Sequence, residues 1–384
     1  MDPEAVATCA LASVPGVGAA TLARIERRFQ SLPEAVRQGP ARILGCEDLE
    51  LGPATRLYLA QGPDLYRLGA WALEAARQAG ARVLLLEDAD YPARLRKMTH
   101  PPRLLYVRGQ LPAVAKRVAV VGSRDVDDAG RDLAQSFGDG LARAGVEVVS
   151  GGARGIDTAA HEGALWGEGR SIAVLGSGID VPYPPENAPL FDRLANQAGA
   201  VISELPPATQ PLPANFPRRN RIVAGLSDAV VVVRATARSG ALITARLALR
   251  SPGTKVFAVP GDPANQRSEG PNALLRDGQA QVATGPTDVL LALGWPVPEI
   301  LARSQSPVAA GPLPPFPGAG ASDRAVIDEA GVRLWELLDG RTPAHVDDLA
   351  LRAQIPAREA LGKLAELELK GMAVQRPGKY FLRR

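Results

Sequence analysis

Six short apolar runs punctuate the middle of this 384-residue chain: Val118–Val121, Val146–Val149, Ile172–Leu175, Val201–Ser203, Val230–Val233 and Val256–Val259. Each is rich in valine and isoleucine and nearly continuous in apolar character, with no polar alternation. That is how strands buried on both faces of a parallel sheet read. Segments with the length and mixed polarity of crossover helices separate them, at Asp125–Ala144, Asp157–Gly167 and Ser239–Arg250. The repeated strand-then-helix rhythm predicts an α/β fold with a doubly wound, mostly parallel sheet. Two more runs, Val83–Leu86 and Leu104–Val107, flank Tyr91–Leu95 and read either as strands joining a first domain to the core or as an addition at the sheet edge.

The first two core strands end in glycine turns, Gly122-Ser123-Arg124 and Gly151-Gly152-Ala153-Arg154-Gly155, and a third turn, Ser239-Gly240, follows the strand Val230–Val233. Such turns lie past the carboxyl ends of strands, where an open parallel sheet binds its ligands, and they bring backbone N–H groups and helix N-termini up to phosphates. On adjacent strands, the three would converge on one groove. The standard cofactor fingerprints are absent. Gly362-Lys363 and Gly378-Lys379 lack the Ser/Thr of a P-loop, no G-x-G-x-x-G occurs, and the second strand ends in Ser150-Gly151 rather than in an acid that would hold a ribose. No G-x-S-x-G elbow is present either. These absences argue against a nucleotide cofactor. Asp157 and His161, four apart on one helix, read as a helix cap and a histidine packed beneath a glycine turn, with an acid–base pair as the rival reading.

The densest signal is Pro213–Leu226, PANFPRRNRIVAGL, where Arg218, Arg219 and Arg221 cluster with Asn220 at a helix start beside Phe216. From Pro211 to Arg250 there are seven arginines and no lysine against one acid, Asp228. Arginine without lysine favours planar, bidentate recognition, and arginines for phosphates with a ring for stacking is the combination that a single nucleic-acid strand requires. The competing assignment for Phe216 is ordinary core burial.

The flanks differ in character. Residues 1–80 read as a helical domain, with Pro15-Gly16-Val17-Gly18 as the turn of a helix-hairpin-helix or simply a bend between helices, and Thr21 as a cap for the next helix. Eight basic against nine acidic residues there do not suggest a strong grip on DNA. Residues 81–300 form the α/β domain, residues 301–322 a Pro/Gly-rich linker, and residues 323–384 three amphipathic helices (Val332–Leu338, His345–Ala353, Pro356–Lys370) and a hairpin around Pro377-Gly378, the winged-helix pattern. Eleven basic and ten acidic residues in this tail make a protein-contact or weak duplex-binding module, its wing cations being Arg376, Lys379, Arg383 and Arg384. The net charge of +3 decides no partner; scattered histidines and two unpaired-looking cysteines, Cys9 and Cys46, indicate neither zinc nor disulfide. No run approaches a membrane span and the N-terminus lacks the features of a signal peptide, so a cytoplasmic location is expected.

Together these residues closely resemble the DNA-processing protein A (DprA/Smf) family. The matching positions are Gly122–Arg124; Ser150–Asp157 with Ala160-His161; Ala173–Asp180 with Tyr183-Pro184 and Asn187; Ser203-Glu204; Phe216-Pro217 with Arg219–Ile222 and Gly225–Ser227; Ser239-Gly240; and Pro260-Gly261. The resemblance runs from about Tyr91 to Leu290. It implies an extended Rossmann-like domain, with compatible N-terminal helical (SAM or helix-hairpin-helix-like) and C-terminal winged-helix domains. It further implies a homodimeric, non-enzymatic protein without cofactor that binds single-stranded DNA, displaces single-strand-binding protein and loads RecA during natural transformation. The DNA pocket would comprise Gly122, Ser123, Arg124, Gly151, Gly152, Arg154, Phe216, Arg218, Arg219, Asn220, Arg221, Ser239 and Gly240. Two departures change the charge: Asp127, an added carboxylate beside the pocket where the family often has Ser or Thr, and Arg234, an added cation where the family tends to place Glu; Ala129 stands where the family often has an aromatic. The core also resembles nucleoside-monophosphate phosphoribohydrolases, but the turn 237–244 offers none of their catalytic glutamate.

Overall fold

In the computed structural model, residues 1–197, 199–304, 328–339, 344–369, 371–376 and 380–383 are described. The chain divides into two compact units, Met1–Ser306 and Pro307–Arg384. In the first, nine strands form one sheet: β1 (Arg82–Leu85), β2 (Leu104–Gly109), β3 (Arg117–Val121), β4 (Glu147–Ser150), β5 (Ser171–Val174), β6 (Ala200–Ser203), β7 (Ala229–Val232), β8 (Lys255–Ala258) and β9 (Gln281–Val282). Their order is β1-β2-β6-β5-β4-β3-β7-β8-β9. The run from β6 to β9 is parallel throughout, and β3 to β7 are buried along their whole length. β1 and β2 pair antiparallel with each other and β2 with β6, so the early apolar pair is an edge addition. The winding starts at β3, runs outward through β4, β5 and β6, and returns to β7 on the other side of β3. The strand order therefore reverses between β3 and β7, and a crevice opens beyond their carboxyl ends.

The opposite end of the sheet is closed by charge. Arg117, 1% exposed at the start of β3, donates to the Glu147 carboxylate at 2.7 Å, and Arg170 donates to the same carboxylate at 2.5 Å. The Arg117 amide donates to Asp228 just before β7, and Arg94 donates to that carboxylate's other oxygen, both at 2.9 Å. Removing one member of such a network would leave a buried charge uncompensated.

The N-terminal helices Pro3–Ala12, Ala19–Phe29, Leu32–Gln38, Pro40–Leu44, Pro53–Ala60 and Leu65–Gln78 enclose a small core around Leu22, Ile25, Phe29, Leu32 and Ile43. Cys9, Ala72 and Ala76 pack with Tyr106 and Phe191 of the sheet layer, so these helices and the α/β core form one unit. Both cysteines are buried and free. The turn Pro15–Gly18 does not present a capped helix to solvent. Gly16 (φ +80°) is held against Thr55, whose hydroxyl donates to Pro15 O at 2.8 Å, and helix Ala19–Phe29 has no side-chain cap. Thr21, expected as that cap, instead accepts from Arg24 at 3.5 Å.

Within the second unit, helices Glu329–Leu337, Val346–Ala353 and Ala357–Leu369 pack with a three-stranded sheet of order β10 (Ala344–His345), β12 (Tyr380–Arg383), β11 (Ala373–Arg376). His345, expected in a helix, is the last residue of β10 and caps that helix through Nδ1. Helix Glu299–Ser304 occupies the start of the expected linker; the remainder, residues 305–322, lies outside the described residues, as do Lys379 and Arg384 of the wing. Arg383 lies 3.3 Å from the Trp335 ring centroid, and Lys363 pairs with Asp328 at 2.5 Å. No described helix is long and apolar enough to cross a membrane.

His161 is fully buried on helix Ile156–Trp166, with Nδ1 2.7 Å from Ser171 Oγ, so packing and not proton transfer accounts for it. Burial, and secondarily the positive charge of Arg219, pulls its pKa from 6.5 to about 3. Between those values the unfolded chain binds a proton that the folded chain refuses, so stability falls as pH drops below 6.5. About 2 kcal/mol should be lost between pH 7.5 and pH 5 through this group. Urea unfolding at both pH values is expected to show a shallower acid slope in His161→Gln; identical slopes would rule out His161 as the titrating group.

Candidate functional site

The three glycine turns follow β3, β4 and β7, which are neighbours in the order β4-β3-β7. They meet in one open cleft of about 550 Å³ at the point where the strand order reverses. Gly122, Ser123 and Arg124 line it from β3, Gly151 and Ala153 from β4, and Ser239 and Gly240 from the turn after β7. The opposing wall is the first turn of helix Asn215–Leu226, through Phe216, Pro217, Arg219 and Asn220. Asn220 joins the walls: its Oδ1 accepts from Arg219 Nε and its Nδ2 donates to Gly240 O, both at 3.2 Å.

The arginines separate into different roles. Arg124 is exposed, and its guanidinium carbon stands 5.1 Å from the Phe216 ring centroid, within cation–π range. Phe216 is half-buried. It rests on Gly176, where a Cβ would come within 2.8 Å of the ring, and its centroid is 5.6 Å from that of Tyr183. Arg219 is only 7% exposed. Its Nη1 donates to the carbonyls of Gly151 and Val174, at the ends of β4 and β5, so it builds the floor of the cleft. Gly151 is required there, because a Cβ would lie 2.5 Å from Arg219 and 2.7 Å from the Asp157 carboxylate. Burial lowers the Arg219 pKa to about 10, which leaves it charged at neutral pH. Asp157 is equally buried and accepts from the amides of Gly151 (3.1 Å) and Ala153 (3.4 Å). Gly152 (φ +68°) turns the chain against Phe191.

Arg218 and Arg221 do not line the cleft. Arg218 borders a depression of about 50 Å³ on the other side of the helix, beside Gly18 of the N-terminal turn. Arg221 is engaged by the Glu204 carboxylate and by His100 O at 2.9 Å. Consecutive helix positions point in different directions, so a run of arginines in sequence divides among three environments. Arg154 stands at the rim and pairs with Glu186.

The expectation of bare turn amides holds only in part: Ser123 N donates to Arg234 O at 2.6 Å, and the Gly151 and Ala153 amides serve Asp157. Nor do the two departures act on the groove. Asp127 caps helix Asp128–Arg143 through Gly130 N (2.8 Å) and accepts from Asn265 (3.0 Å), while Arg234 is 8% exposed and lies against Gly130 and Gly261. Tyr183 and Gly176 were not among the expected site residues; an aromatic in the proline-rich stretch after β5 was the available signal for Tyr183. The carboxylates lining the cleft are Asp125, paired with Arg267 at 2.6 Å, and the amide-bound Asp157.

Arg219→Ala should therefore behave as a folding variant, losing roughly 3 kcal/mol because its two carbonyls and Asp157 lose their buried partner. Arg124→Ala should stay within about 0.5 kcal/mol of the parent, as surface changes do. Urea denaturation of both variants checks the division.

The chain is similar to known proteins over most of its length. The family model for DNA recombination-mediator protein A matches residues 82–294, and that for the DprA winged helix domain matches residues 319–379. Protein Smf of Escherichia coli is 42% identical over 307 residues, covering 77% of this chain and 76% of the relative. DNA processing protein DprA of Streptococcus pneumoniae is 43% identical over 207 residues, 54% of this chain and 72% of the relative. The crystal structure of DNA processing protein A from Streptococcus pneumoniae superposes with a TM-score of 0.62 at 31% identity, covering 76% of this chain and 98% of that one. A structure of Helicobacter pylori DNA processing protein A, described for its single-stranded DNA binding mode, gives 0.50 at 29% identity, covering 56% of this chain and 97% of that one. The chain belongs to the DNA processing protein A (DprA/Smf) family of DNA recombination mediators.

Proposed function

We propose that this protein binds single-stranded DNA in the cleft between β3 and β7 and, as a homodimer in the cytoplasm, loads RecA onto strands from which it displaces single-strand-binding protein during natural transformation. It does so without turning over a substrate. The observation that carries the reading is an exposed guanidinium, Arg124, placed over a half-buried ring, Phe216, at the open mouth of a switch-point cleft. A base stacked on Phe216, with Tyr183 beside it, leaves its phosphate within reach of Arg124. Arg154 at the rim and the Gly240 amide at a helix N-terminus flank that path. Arg219, Gly151 and Gly152 shape the floor, and Asn220 and Ser239 hold the far wall. None of these groups reads a base edge, so binding is independent of sequence. A relative solved for its single-stranded DNA binding mode supports the same reading. The winged helix fits a protein partner better than a duplex, since Lys363 is neutralised by Asp328 and Arg383 lies on Trp335.

Titration of a labelled oligothymidylate at several salt concentrations tests the cleft. The logarithm of affinity should fall by about 0.7 per phosphate neutralised for each log unit of salt, and Arg124→Ala should flatten the slope by about that amount. Phe216→Ala should weaken binding by about 1–3 kcal/mol with little change in slope. An unchanged slope in the first variant, or unchanged affinity in the second, would remove that residue from the pocket. In a second assay, truncation after Ser304 should leave single-strand affinity intact and abolish stimulation of RecA filament formation on strands coated with single-strand-binding protein. Loss of duplex affinity with stimulation retained would assign the winged helix to duplex DNA instead.

A further inference from the structure

The Arg154 guanidinium is aimed along the rim of the cleft, beside Tyr183, Pro184 and Phe216, yet it is already engaged by the Glu186 carboxylate. Both side chains are open to water, 60% and 49% exposed, so the pair contributes little to folding. Its position is nevertheless enforced. The next residue, Asn187, is 7% exposed and donates to Gly152 O at 3.0 Å and to Thr158 Oγ1 at 2.8 Å, which clamps the segment carrying Glu186 to the turn carrying Arg154. Pro184 and Pro185 stiffen the approach. Glu186 cannot withdraw when a phosphate arrives; only its side chain can swing aside, leaving a negative charge close to the bound phosphodiester.

We infer that Glu186 is a tethered competitor for Arg154, occupying the place of one phosphate and holding single-strand affinity below what the cleft's cations would otherwise reach. The inference rests on the reading that this cleft binds a single strand, and it concerns how tightly that strand is held. A mediator that must pass the strand on needs contacts that are released readily. An internal carboxylate replaces the departing phosphate on Arg154 at no cost in exposed, unpaired charge. Like-charged neighbours of the guanidinium, Arg124 and Arg219, face the same opening, so Glu186 also reduces their mutual repulsion while the cleft is empty.

The test uses the full chain and a fluorescently labelled oligothymidylate, titrated at several salt concentrations with Glu186→Gln, Arg154→Ala and the double variant. Glu186→Gln keeps the size of the side chain and removes its charge. It is expected to bind about fivefold more tightly at low salt, with a salt slope steeper by about 0.7 because one more phosphate is fully neutralised. Dissociation should slow correspondingly. Adding Arg154→Ala should cancel both gains. Equal or weaker binding by Glu186→Gln, or a gain that survives removal of Arg154, would overturn the inference. Thermal unfolding of the variants distinguishes these outcomes from misfolding. If neither the parent nor Glu186→Gln binds the oligonucleotide, the reading of the cleft fails and this inference fails with it.

Discussion

The buried guanidinium of Arg219 holds the site together. It reaches from helix Asn215–Leu226 to the carbonyls at the ends of β4 and β5 and, through Asn220, to the turn after β7. Those carbonyls lie where two parallel strands stop, so the sheet itself leaves them without ladder partners. A single planar group with several donors satisfies them and orients the helix that carries Phe216. Placing a cation there is tolerable because Asp157, itself held by two amides, lies close by and Gly151 leaves the space between them. The opposite end of the sheet uses the same chemistry for closure only: Arg117, Arg170 and Arg94 meet Glu147 and Asp228 away from any cleft.

The cleft is consequently less basic than the composition of its sequence neighbourhood implies. Seven arginines lie between Pro211 and Arg250, but Arg219 and Arg234 are buried, Arg221 is paired and Arg218 faces the N-terminal turn. At the rim of the cleft the glycine turns supply two further cations: Arg124 over the Phe216 ring, and Arg154 held by Glu186. On the proposed reading, a strand held by so few phosphate contacts would depend on stacking for much of its affinity.

Much of the fold was legible from residue order. β3 to β8 occur within a residue or two of where apolar runs place them, because burial on both faces tolerates little but valine, isoleucine, alanine and leucine; the exposed edge strand β9 carries no such run and was missed. The three turns were identifiable as one site, since adjacent strands of a doubly wound sheet must deliver their carboxyl ends to the same crevice. Helix starts were less legible. Thr21 has the right residue type for a cap and does not act as one, and Asp127, taken for a charge beside the pocket, is a cap. A carboxylate's role depends on which amide it reaches, and that is fixed by neighbours distant in sequence.

Side-chain direction marks the boundary between the two kinds of information. The order of residues by itself determined a parallel α/β core, glycine turns at strand ends, an aromatic beside arginines, and helices at both flanks, because each depends on local periodicity or on the conformational range of one residue type. Tertiary structure alone decided which arginines face the cleft, that Gly18 of the N-terminal turn lies beside Arg218, and that Glu186 stands on Arg154. These outcomes depend on helix rotation and on contacts between residues tens of positions apart, and a guanidinium carries the same charge whether it meets a carbonyl, a carboxylate or open water.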